Sequence, residues 1–210
     1  PIWHKEIEDI IVLKNNKGTE DNRVRKLDYS IQLSKLFYER FINDEEITLF
    51  SPHEVPELYE AWGSDDFDEL YRTAERKTSV SKKKVSAQTL FFDMLKERAE
   101  TGRIYIMNID HCNSHSSFKD RVYMSNLCQE ITLPTDPIQH IDGEGEIALC
   151  ILSAINVGKI SNLEELEPIC ELAVRSLDEI IDHQLYPVKA AEVSTKARRS
   201  LGIGYIGLAH

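Results

Sequence analysis

Three short runs in this chain, Ile104 to Met107, Ile147 to Leu152 and Leu201 to Ile206, are apolar without a break. A strand with one wet face alternates apolar and polar residues, whereas a strand covered on both faces reads as a continuous apolar run. Strands of that kind are parallel and need long crossover connections, usually helical, and the chain supplies the helices. One apolar stripe at helical spacing runs through Leu163, Leu166, Ile169, Cys170, Ala173, Val174, Leu177, Ile180 and Ile181 until Tyr186-Pro187, where proline ends it. Ser161 and Glu164 have capping-box spacing at its start. Trp3, Ile7, Ile10 and Ile11 write a shorter helical face, and Ala87, Leu90, Phe91, Met94 and Leu95 another. Leu33, Leu36, Phe37 and Phe41 write a third, with Asp28 placed to cap it. The pattern predicts an α/β architecture.

With 210 residues, 41% of them hydrophobic and 29% charged, the chain has a globular composition and enough length for a core. It starts at Pro1 rather than Met and stops at Leu208-Ala209-His210, just past an apolar run, so a piece of a larger protein is expected. A net charge of -11 argues against a general affinity for nucleic acid, whose phosphates demand a basic footprint. The one basic cluster, Lys82-Lys83-Lys84, reads as a solvated turn. No run is long and apolar enough to span a membrane, and the N-terminus lacks the layout of a signal peptide. The four cysteines, at 112, 128, 150 and 170, show no Cys-x-x-Cys spacing and read as reduced, cytoplasmic thiols. Cys170 falls in the helical stripe and is expected to pack.

Between the first two apolar runs lies a long connection, about 108–146, with little helical periodicity, and irregular connections of that length are usually functional or disordered. Inside it stands Ser125-Asn126-Leu127-Cys128-Gln129-Glu130-Ile131. If this run is extended, Asn126, Cys128 and Glu130 project to one face. A thiol can surrender a hydrogen atom or attack as thiolate, a carboxylate can take a proton from a hydroxyl, and an amide can hold a polar substrate. The competing reading is a half-buried strand in which Cys128 is a small hydrophobe. That strand would bury an amide and a charge beside the thiol, which is costly without partners. Spacing alone leaves the two readings level.

Asp110-His111-Cys112-Asn113-Ser114-His115 precedes this run and Glu146-Ile147-Ala148-Leu149-Cys150-Ile151-Leu152-Ser153-Ala154 follows it. Together they resemble the catalytic subunit of class I ribonucleotide reductase. Pro1-Ile2-Trp3-His4, Leu13-Lys14-Asn15-Asn16, Leu49-Phe50-Ser51-Pro52, Thr101-Gly102-Arg103-Ile104-Tyr105-Ile106 and Arg198-Arg199-Ser200-Leu201-Gly202-Ile203-Gly204 extend the resemblance from end to end. The wording from Glu146 to Ala154 is closer to the bacterial and phage class Ia form than to the class Ib or vitamin B12-dependent forms.

The resemblance implies that residues 1–210 are part of a ten-stranded α/β barrel, with a finger loop at about 108–146 that carries the active cysteine into its centre. On the matching positions, Cys128 would become a thiyl radical and take the 3′ hydrogen of a ribonucleoside diphosphate. Glu130 would accept the 3′ hydroxyl proton, and Asn126 would hold the sugar hydroxyls. Cys150 would be one thiol of a pair that reduces the 2′ carbon and ends as a disulfide, its partner lying outside this chain. The resemblance also implies a metal-containing small (beta) subunit as the source of the radical, and thioredoxin or glutaredoxin as reductant. ATP and dNTP effectors would bind in parts absent here, and no metal or cofactor would sit in this segment. The isolated segment is expected to be inactive.

Two other patterns read differently. Gly202-x-Gly204-x-x-Gly207 matches the dinucleotide fingerprint, but that motif needs a following helix and an acidic residue about 20 positions on. Glycines that let a strand pack closely are the better reading. His111, Cys112, His115 and Cys128 lack the paired spacing of zinc ligands and are expected to brace the loop. Rival functions are a thiol hydrolase pairing Cys128 with His111 or His115, and a non-catalytic segment that completes a split barrel.

Overall fold

The computed structural model describes residues 1–15, 17–140 and 145–209; Asn16, residues 141–144 of the expected finger, and His210 lie outside them. The chain divides into two compact units, Pro1–Thr132 and Leu133–His210.

The first unit runs α1 (Ile7–Ile11), β1 (Tyr29–Leu33), α2 (Lys35–Ile42), β2 (Glu46–Phe50), α3 (Pro56–Glu60), α4 (Phe67–Arg76), β3 (Lys82–Ser86), α5 (Ala87–Thr101), β4 (Ile104–Asn108) and α6 (Ile109–Ser114). β1 and β4 pair in parallel, with Gln32 opposite Met107. The side chains of Ile31, Leu33, Ile104 and Met107 are buried; β4 is the apolar run expected, whereas β1 alternates, with Ser30 and Gln32 between its apolar residues. The core is closed by Trp3, Phe37, Phe50, Phe67 and Tyr71, each at most 1% exposed, with Trp62 packed edge-on against Trp3 and Phe67. α5 follows the periodicity. Ser86 caps it by accepting a hydrogen bond from the Thr89 N–H at 3.2 Å, and Gly102, at φ 66°, ends it in the left-handed conformation that glycine adopts without strain.

Several local expectations change. Asp28 does not cap α2; it is the ion-pair partner of the buried Lys14, while Ser34 caps α2 by accepting from the Phe37 N–H at 3.3 Å. Leu33 belongs to β1 rather than to the helix, and Trp3 lies before α1. Lys82-Lys83-Lys84 is not a turn but the start of β3, antiparallel to β2, with Lys84 opposite Thr48. Backbone pairing fixes that strand, and its lysines stay solvated while Val85 packs on the core.

The second unit runs β5 (Ile151–Asn156), α7 (Leu166–His183), α8 (Lys189–Arg198) and β6 (Leu201–Ile206). β5 and β6 pair in parallel from Ile151–Leu201 to Asn156–Ile206, with α7 and α8 in the crossover. β5 thus lies four residues beyond the expected Ile147 start. Residues before it are held elsewhere: Arg198 clasps the Glu146 carboxylate, with Nη2 to Oε2 at 2.7 Å, and the Ile147 N–H donates to Ala190 O. The capping box at Ser161 does not form. Asn162 accepts from the Glu164 N–H at 3.1 Å over a short 3-10 turn, and α7 starts at Leu166, which leaves Pro168 in the first turn where its missing N–H costs little. Leu177 and Ile181 of the stripe are buried and Cys170 is half-buried.

β5 and β6 are not covered on both faces. Leu152, Tyr205 and Ile206 are exposed, as are Leu163, just before α7, and Leu172 and Val174 on it. The described strands form three two-stranded sheets and no closed barrel. Free edges and bare apolar faces invite association. Expressed alone, the 210-residue chain should therefore be poorly soluble or should bind hydrophobic dyes. A soluble monomer that unfolds cooperatively contradicts this.

Candidate active site

After α6 the chain of the first unit runs on without helix or strand from residue 115 to 132, and side chains of the folded core hold it. Asn113 on α6 makes a two-way bond with Val122: its Nδ2 donates to Val122 O at 3.0 Å and its Oδ1 accepts from the Val122 N–H at 2.8 Å. Val122 itself is fully buried. Arg121 reaches back to Glu60 O at 2.6 Å, and Gln32 Nε2 donates to Tyr123 O at 2.6 Å. Three successive residues are thus anchored just before the Asn126 to Glu130 run.

That run is not extended. The Gln129 N–H donates to Asn126 O at 3.2 Å, its Nε2 donates to the same oxygen at 2.7 Å, and Gln129 takes φ 69°. A non-glycine residue there is uncommon, and such outliers cluster at functional sites. The loop is then shut from inside: Asn126 Oδ1 accepts from the Ile131 N–H at 2.9 Å, and the Ser125 hydroxyl donates to Ile131 O at 2.7 Å. The expected common face of Asn126, Cys128 and Glu130 is replaced by a closed turn, because these bonds override the period of a strand. Asn126 is half-buried, while Cys128 and Glu130 are exposed on the turn. The half-buried strand is therefore excluded, and with it the cost of burying a thiol beside an amide and a charge. Because the Ile131 N–H can only donate, the Asn126 Nδ2 is left to face outward from that bond.

The polar run on α6 contributes differently from expectation. Asn113 braces the loop, whereas the rings of His111 and His115 pack edge-on at 5.7 Å. Cys112 packs on the core, and burial raises its thiol above the ordinary range. Among the described residues Cys128 has no hydrogen bond to either histidine, the contact a thiolate hydrolase needs. A cleft of about 600 Å³ is lined by Lys35, Asp68, Asp110, His111 and Arg121 among others, but by none of Asn126, Cys128 and Glu130. Burial raises the carboxyls of Asp68 and Asp110 there, each further raised by a neighbouring aspartate.

Cys150 lies in the second unit, immediately before β5 and half-buried. A Cβ at Gly202 would come within 3.0 Å of its Sγ and 2.5 Å of Leu152 Cδ2. Gly202 therefore gives the thiol its space, as expected of close packing rather than of a nucleotide loop. Sequence reasoning assigned no role to Gln32, Asn113 or Gln129. Asn113 stood in the polar run from Asp110 to His115, whereas nothing local marked the other two.

The family model described as ribonucleotide reductase, barrel domain, matches residues 1–210. The chain is 58% identical over its whole length to the ribonucleoside-diphosphate reductase subunit alpha of Haemophilus influenzae and 52% identical to the ribonucleoside-diphosphate reductase 1 subunit alpha of Escherichia coli. It is 44% identical, over 97% of its length, to subunit alpha of phage T4. It spans 29% of the Haemophilus protein and 28% of each of the other two. A mixed helix and strand chain with parallel pairs and an unclosed set of sheets agrees with part of an α/β barrel. From end to end, then, the chain belongs to the ribonucleotide reductase barrel-domain family.

Proposed function

We propose that this chain is the finger-bearing part of the catalytic subunit of a class Ia-like ribonucleoside-diphosphate reductase, which makes deoxyribonucleotides for DNA synthesis. The observation that carries the reading is the self-closed turn, which presents Cys128 at an exposed position with Asn126 and Glu130 beside it in sequence. Residues 1–210 would belong to the barrel, and about 108–146 would be its finger. The radical comes from a metal-containing small subunit, and thioredoxin or glutaredoxin restores the thiols. Effector nucleotides bind parts of the subunit outside this segment, and the assembly works in the cytoplasm.

In this reading the Cys128 thiyl takes the hydrogen atom from the 3′ carbon, leaving a Cys128 thiol and a carbon radical. The Glu130 carboxylate accepts the 3′ hydroxyl proton, which helps expel the 2′ hydroxyl as water. Asn126, whose Oδ1 is committed to the loop, offers its Nδ2 to the sugar hydroxyls. Cys150 and its partner supply two electrons and two protons to the departing water and the 2′ carbon, and end as a disulfide, while Glu130 returns its proton to the 3′ oxygen. Cys128 returns its hydrogen to the 3′ carbon, so the thiyl is regenerated.

Glu130→Gln tests the base. It keeps size and hydrogen bonding but cannot take a proton, so in the complete enzyme kcat should fall by about 10²–10⁴-fold while substrate still binds. An unchanged kcat makes Glu130 structural.

A further inference from the structure

We infer that Gln32 and Asn113 are positioning residues for the radical cysteine, acting through the backbone of residues 122 and 123 to fix where Cys128 stands. The inference rests on the proposed role of Cys128. Gln32 lies on β1, opposite Met107 of β4, so its backbone is held in a strand pair of the first unit. Its amide has one orientation available. The indole N–H of Trp62 can only donate, and it donates to Gln32 Oε1 at 2.6 Å. The amide NH2 therefore faces Tyr123 O, at 2.6 Å, with Met107 Sδ at 3.4 Å on the same nitrogen. Trp62 is 2% exposed and wedged between Trp3 and Phe67, so the core sets the position of this bond.

Asn113 works on the neighbouring residue. Its amide pairs with both backbone groups of Val122, as a strand partner would, and its own place depends on Gly63. A Cβ at Gly63 would fall 2.7 Å from Asn113 Nδ2, and Gly63 takes φ 78°. Beyond these anchors the loop is closed by its own Ser125, Asn126, Gln129 and Ile131. The tip is thus a self-locked turn carried on a short stalk, and the two amides grip the stalk. Hydrogen transfer demands near-contact of sulfur and the 3′ carbon, and a misplacement of about 1 Å can cost 10²-fold in rate.

The test uses the complete catalytic subunit with its small subunit, a thioredoxin system, and ribonucleoside diphosphate with and without deuterium at the 3′ carbon. Gln32→Glu keeps an acceptor for Trp62 and loses the donation to Tyr123 O together with the contact to Met107 Sδ; Asn113→Asp likewise keeps the bond from the Val122 N–H and loses the donations to Val122 O and Ile109 O. Each variant should lower kcat about 10- to 100-fold, leave KM within about threefold, and enlarge the 3′ deuterium isotope effect on kcat, because the abstraction step has become slow. A wild-type kcat in both variants overturns the inference. So does a fall in kcat that merely follows the loss of folded subunit, with the isotope effect unchanged. If one variant does not fold, the other decides. Cys128→Ser run alongside separates the two levels: if that variant turns over, the role of Cys128 itself has failed, whereas if it is inactive and both amide variants behave as wild type, only the positioning role has.

Discussion

Cys128→Ser in the complete reductase should leave ribonucleoside diphosphate reduction undetectable while nucleotide binding stays nearly intact. Serine is close to cysteine in size, and the thiol is exposed and makes no hydrogen bond among the described residues, so the turn loses nothing that holds it. The chemistry loses everything, because a hydroxyl hydrogen is far harder to abstract than a thiol hydrogen and the radical cannot be parked at position 128. Steady-state turnover measured with purified variant, and substrate affinity measured by equilibrium binding, check the two halves separately. Measurable turnover would remove Cys128 from the mechanism.

A second large effect is expected at Cys150. Cys150→Ser should block multiple turnovers with a dithiol reductant, since one half of the reducing pair is gone while Cys128 can still start the reaction. In the wild type, a single turnover without reductant should leave Cys150 in a disulfide with a cysteine outside residues 1–210. Differential alkylation followed by mass spectrometry reads this directly. A Cys150 that stays fully alkylatable after turnover refutes the pairing and returns the residue to packing against Gly202.

The helices with one strong period, α5 and α7, and the continuously apolar strands at Ile104 and Leu201 were legible in the sequence. That these strands are parallel also followed from apolar runs with long crossovers, although β1, which pairs with β4, is not such a run and β5 and β6 are not covered on both faces. β1 was not legible. Its Leu33 sits three and four residues before Leu36 and Phe37, so the end of a strand mimicked the start of a helical face. β3 was hidden because three lysines describe a solvated surface equally well in a turn or in a strand, and only the distant β2 decides. β5 was displaced by a contact no periodicity records, the clasp of Glu146 by Arg198.

At the site, residue types were readable and geometry was not. Asn, Cys and Glu on alternate positions announced chemistry, but the same spacing wrongly implied an extended run. The turn depends on Gln129 at positive φ and on Asn126 bonding five residues ahead, neither of which has a local signature. The exposed Cys128 is a consequence of that turn. The anchoring amide of Gln32 was invisible because its partners, Trp62 and Tyr123, lie 30 and 91 residues away.

The most direct test is an experimental structure of the complete catalytic subunit with ribonucleoside diphosphate bound. Cys128 Sγ should lie about 3–3.5 Å from the 3′ carbon, the distance of a near-attack arrangement. Glu130 should stand within hydrogen-bond reach of the 3′ hydroxyl, and the Asn126 Nδ2 should face the sugar, with the loop still closed through Asn126 and Ile131. A sugar bound away from the turn, with Cys128 out of reach of the 3′ carbon, would contradict the central claim that this finger carries the hydrogen-abstracting thiol.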